Sequence, residues 1–356
     1  MANKAGVANK RVRSHLHWIN SGKSLVHKAL RGDAIRSLKC WEGCVVLFVV
    51  CLPAPAMAQA WPAKSVRIVV PFAPGGGNDL FARQLAPRLS EAWKQPVVID
   101  NRAGAGGNIG TAEVVKSAAD GYTLLLGHSG TLAINPPLYG NLPFDVQRDL
   151  QPVVMFAVSP LVLVVPSDSP AKTLVELIAR GKQANLNYGS GGAGTGAHLT
   201  GEMFASRAAI AALHIPYKGT VPALTDLVSG QLQFMFSVTP SAVPFLKGNR
   251  LRALAVTGAR RLPTLPEVPT MVEAGIANFE SSLTYGILAP RGTAESVARE
   301  VQRQVLAAAA RPEFQERLRG EGALAVAGGP VEFAALIRAE TDKWATVIRA
   351  SGAKPQ

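Results

Sequence analysis

Two glycine-rich stretches have the composition to hold an anion without a charged side chain. Pro71-Phe72-Ala73-Pro74-Gly75-Gly76-Gly77-Asn78-Asp79 follows the apolar run Val66–Val70 and precedes a helical pattern, with Asn78 or Asp79 placed to cap it. Gly189-Ser190-Gly191-Gly192-Ala193-Gly194 occupies the same context about 115 residues later. A strand, a glycine turn and a helix start gather several unpaired main-chain N–H groups at the positive end of a helix dipole, which suits an anion. Two such turns facing each other can grip both ends of a small dianion, or the carboxylate of an amino acid. The same glycines also serve positive φ angles and close packing, and the local sequence leaves both roles open.

Other chemistry fits less well. The second stretch matches G-x-G-x-x-G, but a dinucleotide site also wants an acidic residue about 20 positions on. That region reads His214-Ile215-Pro216-Tyr217-Lys218. No glycine loop continues into the Gly-Lys-Ser/Thr of a P-loop. Gly127-His128-Ser129-Gly130 lacks the G-x-S-x-G spacing of a nucleophile elbow. His128, His198 and His214 lie far apart, outside metal-ligand spacing, and read as packed or capping residues. Asp120 and Asp145 sit in turn contexts. Arg250, Arg252, Arg260 and Arg261 flank an apolar strand without interleaved aromatics, which describes a solvated edge better than a nucleic-acid groove.

The elements that must position these residues alternate in period. Strands are expected at Val66–Val70, Val97–Ile99, Tyr122–Leu126, Leu161–Val165, Leu186–Tyr188, Ala212–Ile215, Gln233–Phe236, Leu251–Val256 and Gly286–Leu288. Helices are expected at Asp79–Trp93, with Leu80, Leu85 and Leu89 on one face, then Ile109–Ala119, Thr173–Ala184, from the second glycine loop to Ala209, and Val221–Val228. Three more close the chain at Ala294–Ala309, Pro312–Arg319 and Pro330–Ala350. Strands separated by such helices imply right-handed βαβ units and a largely parallel sheet. Two glycine loops in matching contexts suggest two similar α/β lobes, with Pro160–Pro166 and Thr284–Pro290 as candidate crossovers.

The chain has 356 residues, 48% hydrophobic and 17% charged, which excludes a disordered or collagenous protein and provides for about two domains. Its net charge of +13 is uneven: residues 1–58 carry nine Lys and Arg against Asp33 and Glu42, leaving +6 for the remainder. The apolar run Gly43–Cys51, preceded by basic residues and followed by a small-x-small end at Ala56/Ala58, reads as a secretory signal cleaved after Ala58 or Ala60. The basic segment before it is long, and translation is expected to start within it. The run is about half the ~20 residues of a membrane span. Cys40, Cys44 and Cys51 all precede the cleavage site, so the mature chain is expected to lack disulfides, thiol nucleophiles and thiolate metal sites.

Read in order, several motifs resemble the Bug (TctC-like) extracytoplasmic solute receptors of tripartite tricarboxylate transporters. They are Val69–Asp79, Asn101–Gly110, Asp120–Leu125, Asn135-Pro136 with Leu138-Tyr139, Leu142–Asp145, His214–Gly219 and Leu265–Thr270. The likeness runs from about Trp61 to the C-terminus. It implies an α/β, two-lobed periplasmic-binding-protein (Venus flytrap) fold, each lobe a mostly parallel sheet flanked by helices. The expected division is a leader at 1–58, one lobe at 59–163 plus 287–356, and a second at 164–286. Carried over residue by residue, the resemblance implies first-lobe ligand contacts from Phe72, Pro74, Gly75, Gly76, Gly77, Asn78 and Asp79, with Ser129 and Asn135. Second-lobe contacts would come from Ser190, Gly191, Gly194 and Thr195, with Tyr217 and Lys218 near the cleft. Asn78 stands where the family usually has Thr or Ser, exchanging a hydroxyl for an amide. Thr284-Tyr285-Gly286 stands where a W-x-G stretch is common, and loss of that ring implies a wider pocket or a softer hinge.

The expectation is therefore a periplasmic, monomeric receptor without cofactor or catalytic residues. It would bind a small carboxylate (an organic acid, an acidic amino acid or an aromatic acid) for uptake or sensing. A membrane permease of a tripartite transporter, or a sensor protein, is the expected partner, and nucleic acid is not. The competing reading is a periplasmic hydrolase-like enzyme in the same bilobal shell, which would need a proton-transfer residue such as His198 or Ser190 in the cleft. A cytoplasmic dinucleotide protein is a third reading, incompatible with a cleaved leader.

Overall fold

The computed structural model describes residues 61–355. The leader, its cysteines and the proposed cleavage positions lie outside them. The first βαβ unit comprises β1 (Val66–Val70), α1 (Gly77–Trp93), β2 (Val97–Asn101), a 3₁₀ turn (Ala105–Gly107), α2 (Asn108–Val115) and β3 (Thr123–His128). Then follow α3 (Ser129–Tyr139), the short α4 (Val146–Asp149) and the 17-residue β4 (Leu150–Pro166). The second unit comprises α5 (Leu174–Gln183), β5 (Leu186–Ser190), α6 (Gly196–Ala208), β6 (Ala212–Pro216), α7 (Thr220–Val228), β7 (Phe234–Val238), α8 (Thr239–Lys247) and β8 (Leu251–Val256). The chain ends with β9 (Ser282–Pro290), α9 (Glu295–Ala309), α10 (Pro312–Gly320), β10 (Leu324–Gly328) and α11 (Pro330–Ser351).

The strands form one curled sheet ordered β2-β1-β3-β9-β4-β7-β5-β6, with β8 and β10 also paired to β4. Each half contains a parallel trio, β2-β1-β3 and β7-β5-β6. Between the trios run β9 and β4, antiparallel to their neighbours. The long β4 joins the halves: Leu150–Pro160 pairs with β9, and Leu161–Pro166 pairs with β7 and β8. The ladder partner changes at Pro160/Leu161, where the sequence placed its first crossover. The return runs through Thr257 and Ser281, whose main chains bond Leu161 and Thr257, before β9 begins at Ser282. β9 pairs with β4 from Ser282 to Pro290 and with β3 from Tyr285 to Leu288.

Helices cover both faces, so the central strands are continuous apolar runs rather than alternating ones. Val66, Ile68, Val69 and Val70 are fully buried, as is all of Leu161–Val165. Thr173 caps α5 in a reciprocal capping box with Glu176. The sequence reading did not include α3, α4, α8 or β10. Pro136 and Pro137 lie in the last turns of α3, and α8 carries Pro240 in its first turn and Pro244 inside, so both look like broken segments locally. The five residues of β10 find order only by antiparallel pairing to β4.

Candidate functional site

In an open α/β sheet the crevice lies beyond the carboxyl ends of the strands. Here β1, β3, β5 and β7 all end at one place, and each runs into a loop or directly into a helix. A chamber of about 30 Å³ lies there. Phe72, Gly76, Gly77 and Asn78 wall it on one side, and Gly191, Thr195, Gly196 and Ala197 on the other. His128, Thr220, Val238, Leu283 and Tyr285 complete it. A second, more open chamber of about 170 Å³ shares Phe72 and Gly191 with the first. Its wall is made by residues 103–107, Tyr139, Gly192, Ala193, Pro216, Tyr217 and Lys218.

The inner chamber has no Asp, Glu, Lys or Arg in its wall, yet five helices begin at it. Gly77 opens α1, His128 precedes α3, Thr195 precedes α6, Thr220 opens α7 and Val238 precedes α8. The N-caps of α1, α7 and α8 are Gly76, Gly219 and Val238, none of which makes a side-chain capping bond. Their N-terminal ends therefore bring partial positive charge to the chamber, Pro222 and Pro240 each removing one first-turn donor. The other two are capped: His128 Nδ1 accepts from Thr131 N at 3.1 Å, and Thr195 Oγ1 accepts from His198 N at 3.3 Å.

Phe72 lies parallel to His128 with centroids 5.3 Å apart, and Tyr285 meets His128 edge-on at 5.6 Å. Burial pushes the His128 imidazole down to about 3 and raises the Tyr285 phenol, so both rings are neutral. Two glycines are demanded by close approach. A Cβ on Gly77 would stand 2.6 Å from the Tyr285 hydroxyl, and Gly194, at φ +80°, abuts the Asn135 amide.

Of the residues the sequence singled out, Phe72, Gly76, Gly77, Asn78, Gly191 and Thr195 line the inner chamber; Phe72, Gly191, Tyr217 and Lys218 line the outer one. The Asn78 amide donates to Leu126 O at 2.8 Å, and the Tyr217 hydroxyl to Asp226 at 2.7 Å. The remaining residues line neither chamber. Pro74 is exposed, and the Gly75 carbonyl accepts from Ser241 Oγ at 3.0 Å. The Asp79 carboxylate accepts from Gly75 N, Arg83 and Asn101. Burial would raise that carboxyl, but bonds from Arg83, Gly75 and Asn101 outweigh it and hold the group below its usual range. Ser129 Oγ accepts from Thr284 N at 3.1 Å. Asn135 donates to Gly106 O and Asn108, while its buried Oδ1 has no hydrogen-bond partner. Ser190 is fully buried, with Oγ bonded to His214 and Gly192.

Sequence reasoning did not assign Thr220, Tyr285, Tyr139 or residues 103–107 to the site. Gly104–Gly107 carried a usable signal, since it too stands between a strand and a helix. Tyr285 carried one only through its place in the Thr284-Tyr285-Gly286 departure. Among the described residues no cluster of three His, Cys, Asp or Glu can hold a metal ion, and no helix is long and apolar enough to cross a membrane.

A curled α/β sheet in two halves, with a cleft at the strand ends walled by glycine turns, is the two-lobed fold of the periplasmic binding proteins. The chain belongs to the TctC family, the tripartite tricarboxylate transporter family receptors, whose model matches residues 81–353. It is 38% identical over 306 residues to Protein BugT of Bordetella pertussis, an alignment covering 85% of this chain and 94% of BugT. Among solved structures it is similar to R. palustris Rpa4515 with adipate (TM-score 0.81, 35% identity, 83% of this chain and 100% of that one). It is also similar to MatC (Rpa3494) from Rhodopseudomonas palustris with bound malate (TM-score 0.77, 31% identity, 81% and 100%). Members of this family are periplasmic receptors, not enzymes; they bind small carboxylates and work with transporter components.

Proposed function

We propose that this chain captures a small dicarboxylate between two lobes, residues 59–163 plus 287–356 and residues 164–286, which share β4 and β9. One carboxylate lies in the inner chamber against the first-turn N–H groups of α1, α7 and α8, and the rest of the molecule extends into the outer chamber toward Tyr217 and Lys218. The observation that carries this reading is the convergence of three helix starts without side-chain caps on a chamber with no charged side chain. Each charge-assisted N–H bond to a carboxylate contributes roughly 1.5–3 kcal/mol, enough in combination for a micromolar complex of about −8 kcal/mol. The outer chamber, at about 170 Å³, is below the ~300 Å³ typical of drug-sized ligands, which favours a short acid. The two similar structures named with adipate and malate support the class.

Closure follows from differential contact: the anion completes bonds to both lobes only when they meet. The closed receptor, a monomer exported by the 1–58 leader, then presents its outer face to a permease or a sensor. The test is isothermal titration calorimetry with malate, succinate, adipate, citrate, glutamate and benzoate, after unfolding and refolding to strip co-purified acid. Saturable binding of a dicarboxylate, with a smaller radius of gyration by X-ray scattering, is expected. Flat titrations with folded protein at millimolar acid overturn the proposal.

A further inference from the structure

The turn from Gly191 to Thr195 supplies much of the second lobe's share of the chamber wall, and it is held from behind by two buried histidines. His198, in the first turn of α6, accepts the Gly194 N–H on Nδ1 at 3.2 Å. His214, on β6, places Nε2 2.7 Å from Ser190 Oγ. That same serine oxygen accepts from Gly192 N at 3.1 Å and donates to Gly192 O at 2.9 Å. One proton arrangement satisfies every bond: His214 Nε2–H donates to the serine, and His198 carries its hydrogen on Nε2. The rings stack with centroids 3.9 Å apart and planes 22° from parallel. Each imidazole thus grips one end of the turn, and each is kept in place by the other.

Around the pair, Glu202 on α6 stands 3.7 Å from His198 Nε2, and its carboxylate takes the Tyr188 hydroxyl at 2.6 Å. Tyr188, on β5, lies 5.0 Å from His214 and stacks on Phe234 of β7. The far side of α6 meets α3 and α11 through an apolar cluster of Leu199, Ala133, Ile134, Leu138 and Trp344. Glu202 thus places a carboxylate beside His198, and it is already engaged by the tyrosine.

We propose that His198 and His214 are positioning residues for the anion site: a stacked pair that aims the Gly191–Thr195 turn at the chamber, and that frees the turn when acid charges His198. Protonating His198 on Nδ1 sets one N–H against another and breaks the Gly194 bond. Burial pushes His198 down to about 4, so it stays neutral through mild acid and the turn loosens as pH falls through about 4.

The inference rests on the carboxylate-receptor reading, and its test separates the two. Amide hydrogen exchange of residues 189–196 is followed without added acid at pH 7 and pH 3.5, alongside calorimetry with malate and adipate. Wild type is expected to protect the Gly192 and Gly194 amides at pH 7 and to lose that protection at pH 3.5. H198N keeps an acceptor that does not titrate, so its protection is expected to persist at both pH values. H198F is expected to lose it at both. For an acid that binds, wild-type affinity should fall about tenfold more than that of H198N between the two pH values, the acid's own protonation being common to both. Equal exchange in wild type and H198N at both pH values overturns the inference. Binding by neither acid defeats the malate and adipate reading alone, because the exchange arm still decides the role of the histidines. Should H198F fail to fold, the H198N comparison carries the test.

Discussion

The phenol of Tyr139, at the end of α3, donates to the carbonyl of Ala193 in the second glycine turn at 3.2 Å, tying one side of the cleft directly to the other. A second bond of this kind joins Ser241 Oγ to the Gly75 carbonyl at 3.0 Å. The first belongs to the outer chamber's wall and the second lies beside the chambers; each joins the two sides, so both bear on closure.

Tyr139→Phe should therefore shift the balance toward the open form with little loss of fold. A single neutral hydrogen bond contributes about 1 kcal/mol, which corresponds to roughly fivefold weaker binding of whichever acid titrates. Scattering should show a larger radius of gyration for the variant, and its melting temperature should stay within a few degrees of wild type. An unchanged radius and affinity would remove the bond from any account of closure.

Gly106 faces Ala193 across the cleft at φ +60°, and a Cβ there would run into the Ala193 carbonyl oxygen. Gly106→Ala should hold the lobes apart and abolish detectable binding, while each lobe remains folded. Gly140→Ala is the matched control: it shares a positive φ of +68° but has open space around it, and should cost only about 1 kcal/mol of stability. Calorimetry and thermal melts of both variants check the contrast, and equal binding by the two would refute it.

Asp79 holds the first turn in shape through Gly75 N, Arg83 and Asn101. Asp79→Asn should destabilise the protein by about 1–3 kcal/mol at pH 7. Because the folded carboxyl lies below its ordinary value of 3.8, its contribution is complete above that value and is lost as pH falls through the folded one. The gap between wild type and variant in urea melts should thus close below about pH 4. A gap that persists at pH 2 would mean the carboxylate charge is not what matters.

His128 is neutral in the fold, with burial setting it near 3 against 6.5 for an ordinary histidine. Its folded value is the lower one, so the unfolded chain binds the extra proton between these limits and stability must fall as pH drops through them. The loss amounts to a few kcal/mol by pH 4. His128→Asn keeps an acceptor for Thr131 N and has nothing to titrate. Its stability relative to wild type should rise steadily from pH 6.5 to pH 4, as read by denaturant titration; a flat difference would exclude His128 from the acid response.

The glycine turns were legible because strand, turn and helix start are written in adjacent residues. Thr173 announced α5 in the same way, and Gly104–Gly107 announced another turn at the outer chamber. The prolines of α3 hid a helix that Tyr139 and Asn135 depend on. Ser190, Asn135 and Asp79 belong to the right turns, but whether a side chain points into a chamber or behind it depends on what packs there. For Ser190 the deciding neighbour is His214, 24 residues on.

By itself the sequence determined the alternation of strands and helices, the two glycine turns and the family, because periodicity, capping and positive φ are properties of neighbouring residues. Only the tertiary structure decided that five helix starts meet at one point, that β4 changes partners at Pro160, and that Phe72, His128 and Tyr285 form one wall. Those meetings depend on the order of strands across the sheet, which is set by burying apolar surface between elements far apart in the chain and leaves no local mark.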